Sequence, residues 1–327
     1  MIEILSVSKS FGDKKAVSNL SFNVVEGEIL GFLGPNGAGK STTMNIITGY
    51  LSATEGTARI DGVDILENPI EAKRKIGFLP EIPPLYPEMT VKEFLRFVYE
   101  LKDCRFPREQ HLKEICDVVK IGDVYNRMIR NLSKGYRQRV GIAQALIGNP
   151  KVLIFDEPTI GLDPKQIIEI RNLIKMLGRE HTVILSTHIL PEVQAVCDRI
   201  VVINKGKLVA NEKTEDLITA VEGTRKLMAK IVGPETEVLK MLKGTSGIRY
   251  AEALGKRDTD SISYIIESEE KVDIRKTLFF NLAKSGWPLV GLEGMELNLE
   301  DIFIRLIDKE KKDNTDKVRR KRGIKQG

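Results

Sequence analysis

The stretch Gly34-Pro-Asn-Gly-Ala-Gly-Lys-Ser41 constrains this chain more than any other. It follows Ile29–Leu33, a short apolar run suited to a buried strand, and precedes a helix-forming segment. Strand, glycine-rich loop and helix, in that order, are the context in which a loop wraps a phosphate. Glycines let successive backbone N–H groups curl around phosphate oxygens without Cβ clashes. Gly34, Pro35, Asn36, Gly37, Ala38, Gly39, Lys40, Ser41 and Thr42 form the expected phosphate-binding segment. Lys40 would pair with β- and γ-phosphates, and the Ser41 hydroxyl would complete a Mg²⁺ shell. At ordinary residue frequencies such a pattern arises by accident in about one chain in a hundred of this length. The flanking strand and helix lower that further.

A second apolar run, Lys151-Val-Leu-Ile-Phe155, ends in Asp156-Glu157. Two carboxylates at a strand end are usually just solvated. Beside a phosphate loop the active reading is stronger: Asp156 would bind Mg²⁺ through water, and Glu157 would orient or deprotonate the attacking water. A kinase acting on a small molecule would also carry such a loop, so this site alone leaves the reaction open.

The 327 residues suffice for two domains. Residues 1–220 alternate β-branched runs with helical patterns, as α/β domains do, with a helical insertion expected at about 90–147. Thr182–Ser186 reads as another buried strand, and 200–209 as a hairpin turning at Lys205-Gly206. Composition shifts near Val221–Thr224. Residues 221–308 read as a small α+β accessory domain ending in a helix at 299–307, and 309–327 as a basic tail expected to be disordered. From Asp308 onward nine Lys/Arg stand against four Asp/Glu, a difference that equals the whole net charge of +5. A global nucleic-acid footprint is therefore not indicated; a basic tail is. The longest run without a charged residue, 41–54, is too short and too rich in Ser and Thr to span a bilayer. The start, MIEILSVSKS, lacks the apolar core of a secretory signal. Three widely spaced cysteines indicate neither a disulfide framework nor a zinc site.

The stretch Leu132-Ser-Lys-Gly-Tyr-Arg-Gln-Arg-Val140 poses a separate question, because it opens a helix far from the phosphate loop. Ser133 suits an N-cap, and a helix start attracts anions. In a head-to-tail pair of copies, two such starts could cap the γ-phosphates held by the partners' loops, closing by twofold symmetry.

With these motifs in this order, residues 1–220 resemble the nucleotide-binding subunit of an ABC transporter. The resemblance implies a P-loop NTPase core with a helical subdomain, ATP and Mg²⁺ as ligands, and an ATP-sandwich homodimer. It places Phe11 where the family stacks an aromatic on adenine, and Ser133 and Gly135 in the signature motif that meets the partner's ATP. The commoner form of that motif has Gly and Gln at Lys134 and Tyr136. Thr159-Ile-Gly-Leu-Asp163 matches the loop that crosses the dimer interface, and His188 matches the switch histidine that contacts γ-phosphate. His111 and His181 have no such support. Where the family usually has Gln, the loop Gly77-Phe-Leu-Pro-Glu81 carries Glu81, which is either a Mg²⁺ ligand or a lever towards the helical insertion.

LSKGYRQRV, Ser186-Thr-His-Ile-Leu190 and Leu299-Glu-Asp-Ile-Phe303 are similar to ATPase subunits of ABC-2 type exporters, the gliding-motility type above all. The resemblance implies a cytoplasmic ATPase held at the inner face of the cell membrane by an integral permease. The permease would dock at the Glu81 loop and Ile82–Glu100, with Leu85 and Tyr86 as candidate contacts. The rival is a soluble ABC ATPase acting on ribosomes or nucleic acid. A single cassette without sustained heptads argues against it, and the basic tail is the one feature in its favour.

Overall fold

The structure, a computed structural model, describes residues 2–216, 226–256, 260–269 and 272–294. The expected helix at 299–307, the basic tail and the composition shift at 221–224 lie outside them. The chain divides into two compact units, Met1–Thr214 and a second beginning at Glu215.

Two sheets build the first unit. Strands β1 (Ile2–Phe11), β2 (Lys14–Val24), β4 (Glu55–Ile60) and β5 (Val63–Asp64) pair antiparallel in the order β2-β1-β4-β5. The other sheet comprises β3 (Ile29–Leu33), β6 (Ile76–Leu79), β7 (Val152–Asp156), β8 (Thr182–Thr187), β9 (Arg199–Asn204) and β10 (Lys207–Lys213). Its order is β10-β9-β3-β8-β7-β6, parallel except for β10, which folds back on β9. Parallel strands need both faces covered, and β3, β7 and β8 are buried along their whole length. Residues 77–79, expected as part of a loop, instead form most of β6. Phe78 and Leu79 carry the apolar side chains of a covered strand, and β6 pairs with β7 from Ile76↔Val152 to Leu79↔Phe155.

Helix α1 (Lys40–Ile47) joins the sheets: Met44, Ile46 and Ile47 share one buried cluster with Ile2 and Leu20 of the antiparallel sheet and Phe32 and Ile154 of the parallel one. Each such side chain contributes roughly 1.5–3 kcal/mol when fully buried. The loop that opens α1 is thus held by its own helix.

After α2 (Pro69–Arg74) the chain enters a helical segment of α3 (Val91–Leu101), α4 (Arg108–Val119) and α5 (Lys134–Leu146). A capping box between Thr90 and Glu93 starts α3. The end of α5 is fastened by Lys102, whose Nζ donates to the carbonyls of Gln144, Ala145 and Ile147 at 3.0, 3.2 and 3.0 Å. Burial holds that ammonium's pKa down to about 8. Helices α6 (Pro164–Leu177) and α7 (Leu190–Val196) follow β7 and β8.

The second unit runs β11 (Lys226–Ile231), α8 (Glu235–Gly244), β12 (Ile248–Lys256), β13 (Ile262–Ser268), α9 (Arg275–Lys284) and β14 (Leu289–Gly294). Its sheet is antiparallel in the order β12-β13-β11-β14. That succession and order make a ferredoxin-like split βαβ arrangement. Its core gathers Leu227, Val238, Tyr264, Ile266 and Leu278.

Candidate active site

Parallel strands gather their carboxyl ends on one edge, where open α/β sheets bind ligands. Here Leu33 pairs with Thr187, Asp156 with Ser186, and Leu79 with Phe155. The residues that follow these ends are the glycine-rich loop, Glu157, His188 and Glu81. A cleft of about 630 Å³ opens there, lined by Asn36, Gly37, Gly39, Lys40, Ser41 and Thr42 together with Phe11, Glu81 and Glu157.

Gly34, Pro35 and Ala38 stand behind the lining and shape the turn. The Ala38 N–H donates to Pro35 O at 3.1 Å, and Ala38 O accepts from the Gly206 N–H at 2.9 Å. Gly39 has φ +106°, and a Cβ there would stand 2.7 Å from the Ala16 carbonyl oxygen. Only glycine fits both demands.

Lys40 is buried. Its Nζ donates to Gly34 O at 2.9 Å and lies 3.3 Å from Glu157 Oε1. The same carboxylate meets His188 Nδ1, 3.0 Å from each oxygen. Ammonium, carboxylate and imidazole thus form one continuous chain. Glu157 holds a left-handed backbone, φ +50°, at a cost on the order of 1–3 kcal/mol. Neighbours enforce it: its N–H donates to Ser186 O at 2.9 Å, and its carbonyl accepts from Ile160 N at 3.2 Å.

Asp156 is buried, and its Oδ1 has no hydrogen-bond partner. Burial pushes its carboxyl above the usual range against the pull of the Ser186 and Ser41 hydroxyls, with the charge of Glu157 adding a smaller push and Lys40 opposing. An unpartnered buried carboxylate oxygen beside the Ser41 hydroxyl is the hard donor set that Mg²⁺ takes. Those residues fit the ion.

Phe11 is 51% exposed at the end of β1, with Lys9 Nζ 5.3 Å from its ring centroid, so it is a surface platform and not a core side chain. Ser133 caps α5, its Oγ accepting from the Tyr136 N–H at 3.4 Å. It is exposed and does not line the cleft, and neither does Gly135, which is buried where a Cβ would come 2.8 Å from the Gln166 side chain. Asp163 caps α6 through the Gln166 N–H. His111 and His181 hold backbone: Gly148 N–H donates to His111 Nε2, and His181 Nδ1 lies 2.7 Å from Pro150 O.

Sequence reasoning missed Lys14, Lys15, Ile160 and Lys205, which also line the cleft. The Lys205-Gly206 turn was legible, but its tether to the loop through Ala38 O was not, because β9 and the loop lie far apart in sequence.

The family described as ABC transporter matches residues 17–160. The Nod factor export ATP-binding protein I of Rhizobium etli is 34% identical over 316 residues, covering 94% of this chain and 94% of that protein. The chain belongs to the ATP-binding proteins of ABC transporters. Another such protein, YhcH of Bacillus subtilis, is 38% identical over 219 residues, 66% of this chain and 71% of its own. Among solved structures, a dimeric ATP-binding cassette in a post-hydrolysis state, bound to ADP and Pi, matches with a TM-score of 0.60 and 30% identity. That match covers 65% of this chain and 99% of the other. As an ABC ATPase, the chain turns ATP and water into ADP and phosphate.

Proposed function

We propose that this protein is the ATP-hydrolysing subunit of an exporter, closing as a homodimer on ATP and energising a separate membrane permease. The observation that supports it best is the Lys40–Glu157–His188 chain at the mouth of the phosphate loop. When ATP enters, its β- and γ-phosphates draw the Lys40 ammonium away from Glu157. Released from Lys40 and held by His188, Glu157 takes a proton from water as the water oxygen bonds to the γ-phosphorus and ADP leaves. Asp156 and Ser41 would hold Mg²⁺, with Glu81 on the cleft wall as a further candidate. The ion supplies neutralising charge at the phosphate oxygens. Phe11 carries the adenine.

Ser133 and Gly135 act on the ATP of a second copy, because they open α5 outside their own cleft and Ser133 is exposed. Export follows the name of the Rhizobium relative, which spans nearly the whole chain. Among the described residues no helix is long and apolar enough to cross a membrane, and the reading assigns the path to the permease. The permease docks from the cytoplasmic side at Ile82–Glu100, where Ile82 and Tyr86 are exposed.

Glu157→Gln tests the hydrolytic assignment. Hydrolysis should fall by at least about a hundredfold while ATP binding persists, and gel filtration should show a stable dimer with ATP only. Near-normal hydrolysis would remove Glu157 from the mechanism.

A further inference from the structure

The carboxylate of Glu192 has no part in the reading above, yet it is among the most deeply buried charged groups near the cleft. It sits in the first turn of α7 and is 1% exposed. Its Oε1 accepts from Thr159 Oγ1 at 2.5 Å and its Oε2 from Thr187 Oγ1 at 3.0 Å. Both threonines are buried as well. Thr187 Oγ1 also accepts from the Ile189 N–H at 3.1 Å, so this hydroxyl braces the turn that carries His188.

The two threonines flank the reacting groups. Thr159 stands two residues beyond Glu157 and opens the loop that ends at Asp163, while Thr187 immediately precedes His188. One carboxylate therefore ties the loop after Glu157 to the loop of His188, and the side chains of those two residues meet 3.0 Å apart. Burying a carboxylate is costly unless donors satisfy it, and an apolar residue of similar volume often serves stability at least as well. What an apolar residue cannot do is hold two separate loops by directed, charge-assisted hydrogen bonds.

We propose that Glu192 is a positioning residue, which sets the Glu157–His188 geometry by clamping the hydroxyls of Thr159 and Thr187. A displacement of the 159–163 loop, the segment expected to face a second copy, then reaches His188 through a single rigid link. The proposal rests on the hydrolytic site described under the proposed function. Its weight lies in the two hydroxyls, because removing Glu192 itself leaves the Thr159 hydroxyl unpaired in the core and the Thr187 hydroxyl with the Ile189 N–H alone.

The test therefore uses Thr159→Val and Thr187→Val, which keep shape and remove one arm each, the second also taking the acceptor of the Ile189 N–H, with Thr159→Ser and Thr187→Ser as restorations. Each Val variant should lower kcat about tenfold and leave the KM for ATP within about twofold. Each Ser variant should recover to within about twofold of the wild type. The double Val variant should lose little more than either single one, since the arms belong to one clamp. Unchanged kcat in the Val variants, losses that multiply, or Ser variants as slow as Val would overturn the role. Glu157→Gln is measured alongside. If it hydrolyses normally the hydrolytic site itself falls, whereas a stalled Glu157→Gln with normal threonine variants removes Glu192 alone.

Discussion

At the start of α1, Lys40 is buried and its ammonium meets both Gly34 O and the Glu157 carboxylate. At the start of α5, Ser133 and Lys134 are exposed, and the Ser133 hydroxyl accepts from the Tyr136 N–H of its own helix. Both are helix starts with free N–H groups and a positive end. The first is enclosed by strand ends of the same chain. The second is rigidly built, with its far end fastened by Lys102, yet faces outward. On the proposed reading, the same local chemistry yields a whole site where the sheet edge encloses it, and half a site where it waits for a second copy.

The largest expected effect comes from breaking the enclosed start. Lys40→Ala should weaken ATP binding at least about a hundredfold and abolish hydrolysis, since it removes the only buried ammonium in the cleft lining. Nucleotide titration of the purified protein checks it, and an affinity within tenfold of the wild type would contradict the assignment.

Ser133→Arg should be smaller and of a different kind. Hydrolysis should drop at least about tenfold while ATP affinity of the isolated chain stays within about threefold. The geometry has its own test. A Ser133→Cys, Asn36→Cys pair should crosslink between chains and do so faster with ATP. Asn36 is preferable to Gly37, whose φ of +77° disfavours a side chain. Partly exposed Cys104 is replaced by Ser to keep the background low; Cys116 and Cys197 are buried, and burial pushes the Cys116 thiol up to about 11. Crosslinks confined to one chain would end the two-copy reading.

Glu81→Gln should keep at least about half of the ATPase, because the amide retains an oxygen towards the cleft. Complete loss would show that the carboxylate charge itself is used.

The mildest effect concerns the anchored end of α5. In the folded chain Lys102 loses its proton near pH 8, whereas unfolded it would do so near about 10.4. Between those values the unfolded state binds more protons, so this residue's contribution to stability rises with pH through that window and is least below it. Comparing wild type with Lys102→Met, the difference in Tm should move in favour of the wild type by a few °C from about pH 7 to about pH 10. A difference that is flat with pH would mean that the three carbonyls offset the cost of burying the ammonium.

Several of these features were legible in the sequence because they are local. The glycine loop, Asp156-Glu157 and the capping serine each carry their chemistry within a few neighbours. The β1–β2–β4 sheet was not singled out, since its strands bury one face and break register at several points, which blurs the two-residue alternation. The Glu192 clamp was invisible for another reason. Its partners are ordinary threonines, and only the packing of α7 against β3 and β8 brings them within reach. Phe11 could be placed by family likeness alone, because no local pattern separates a surface phenylalanine from a core one.

The pairing of β3 has a further consequence, in time rather than in space. Both of its neighbours arrive late: Ile29 pairs with Val183, and Leu30 with Arg199. While the chain is being made, the strand that aims the phosphate loop has neither partner until β8 has emerged, and lacks the second until residue 199 follows. At about 5–20 residues per second, that is an interval on the order of 10–30 s. During it an apolar five-residue strand stands with both edges open, and loop closure over such long separations slows its burial further. ATP binding is therefore acquired only after more than half of the chain has been made, and a ribosome stalled before β8 would display a chain with its phosphate-loop sequence complete and no framed cleft to hold a nucleotide.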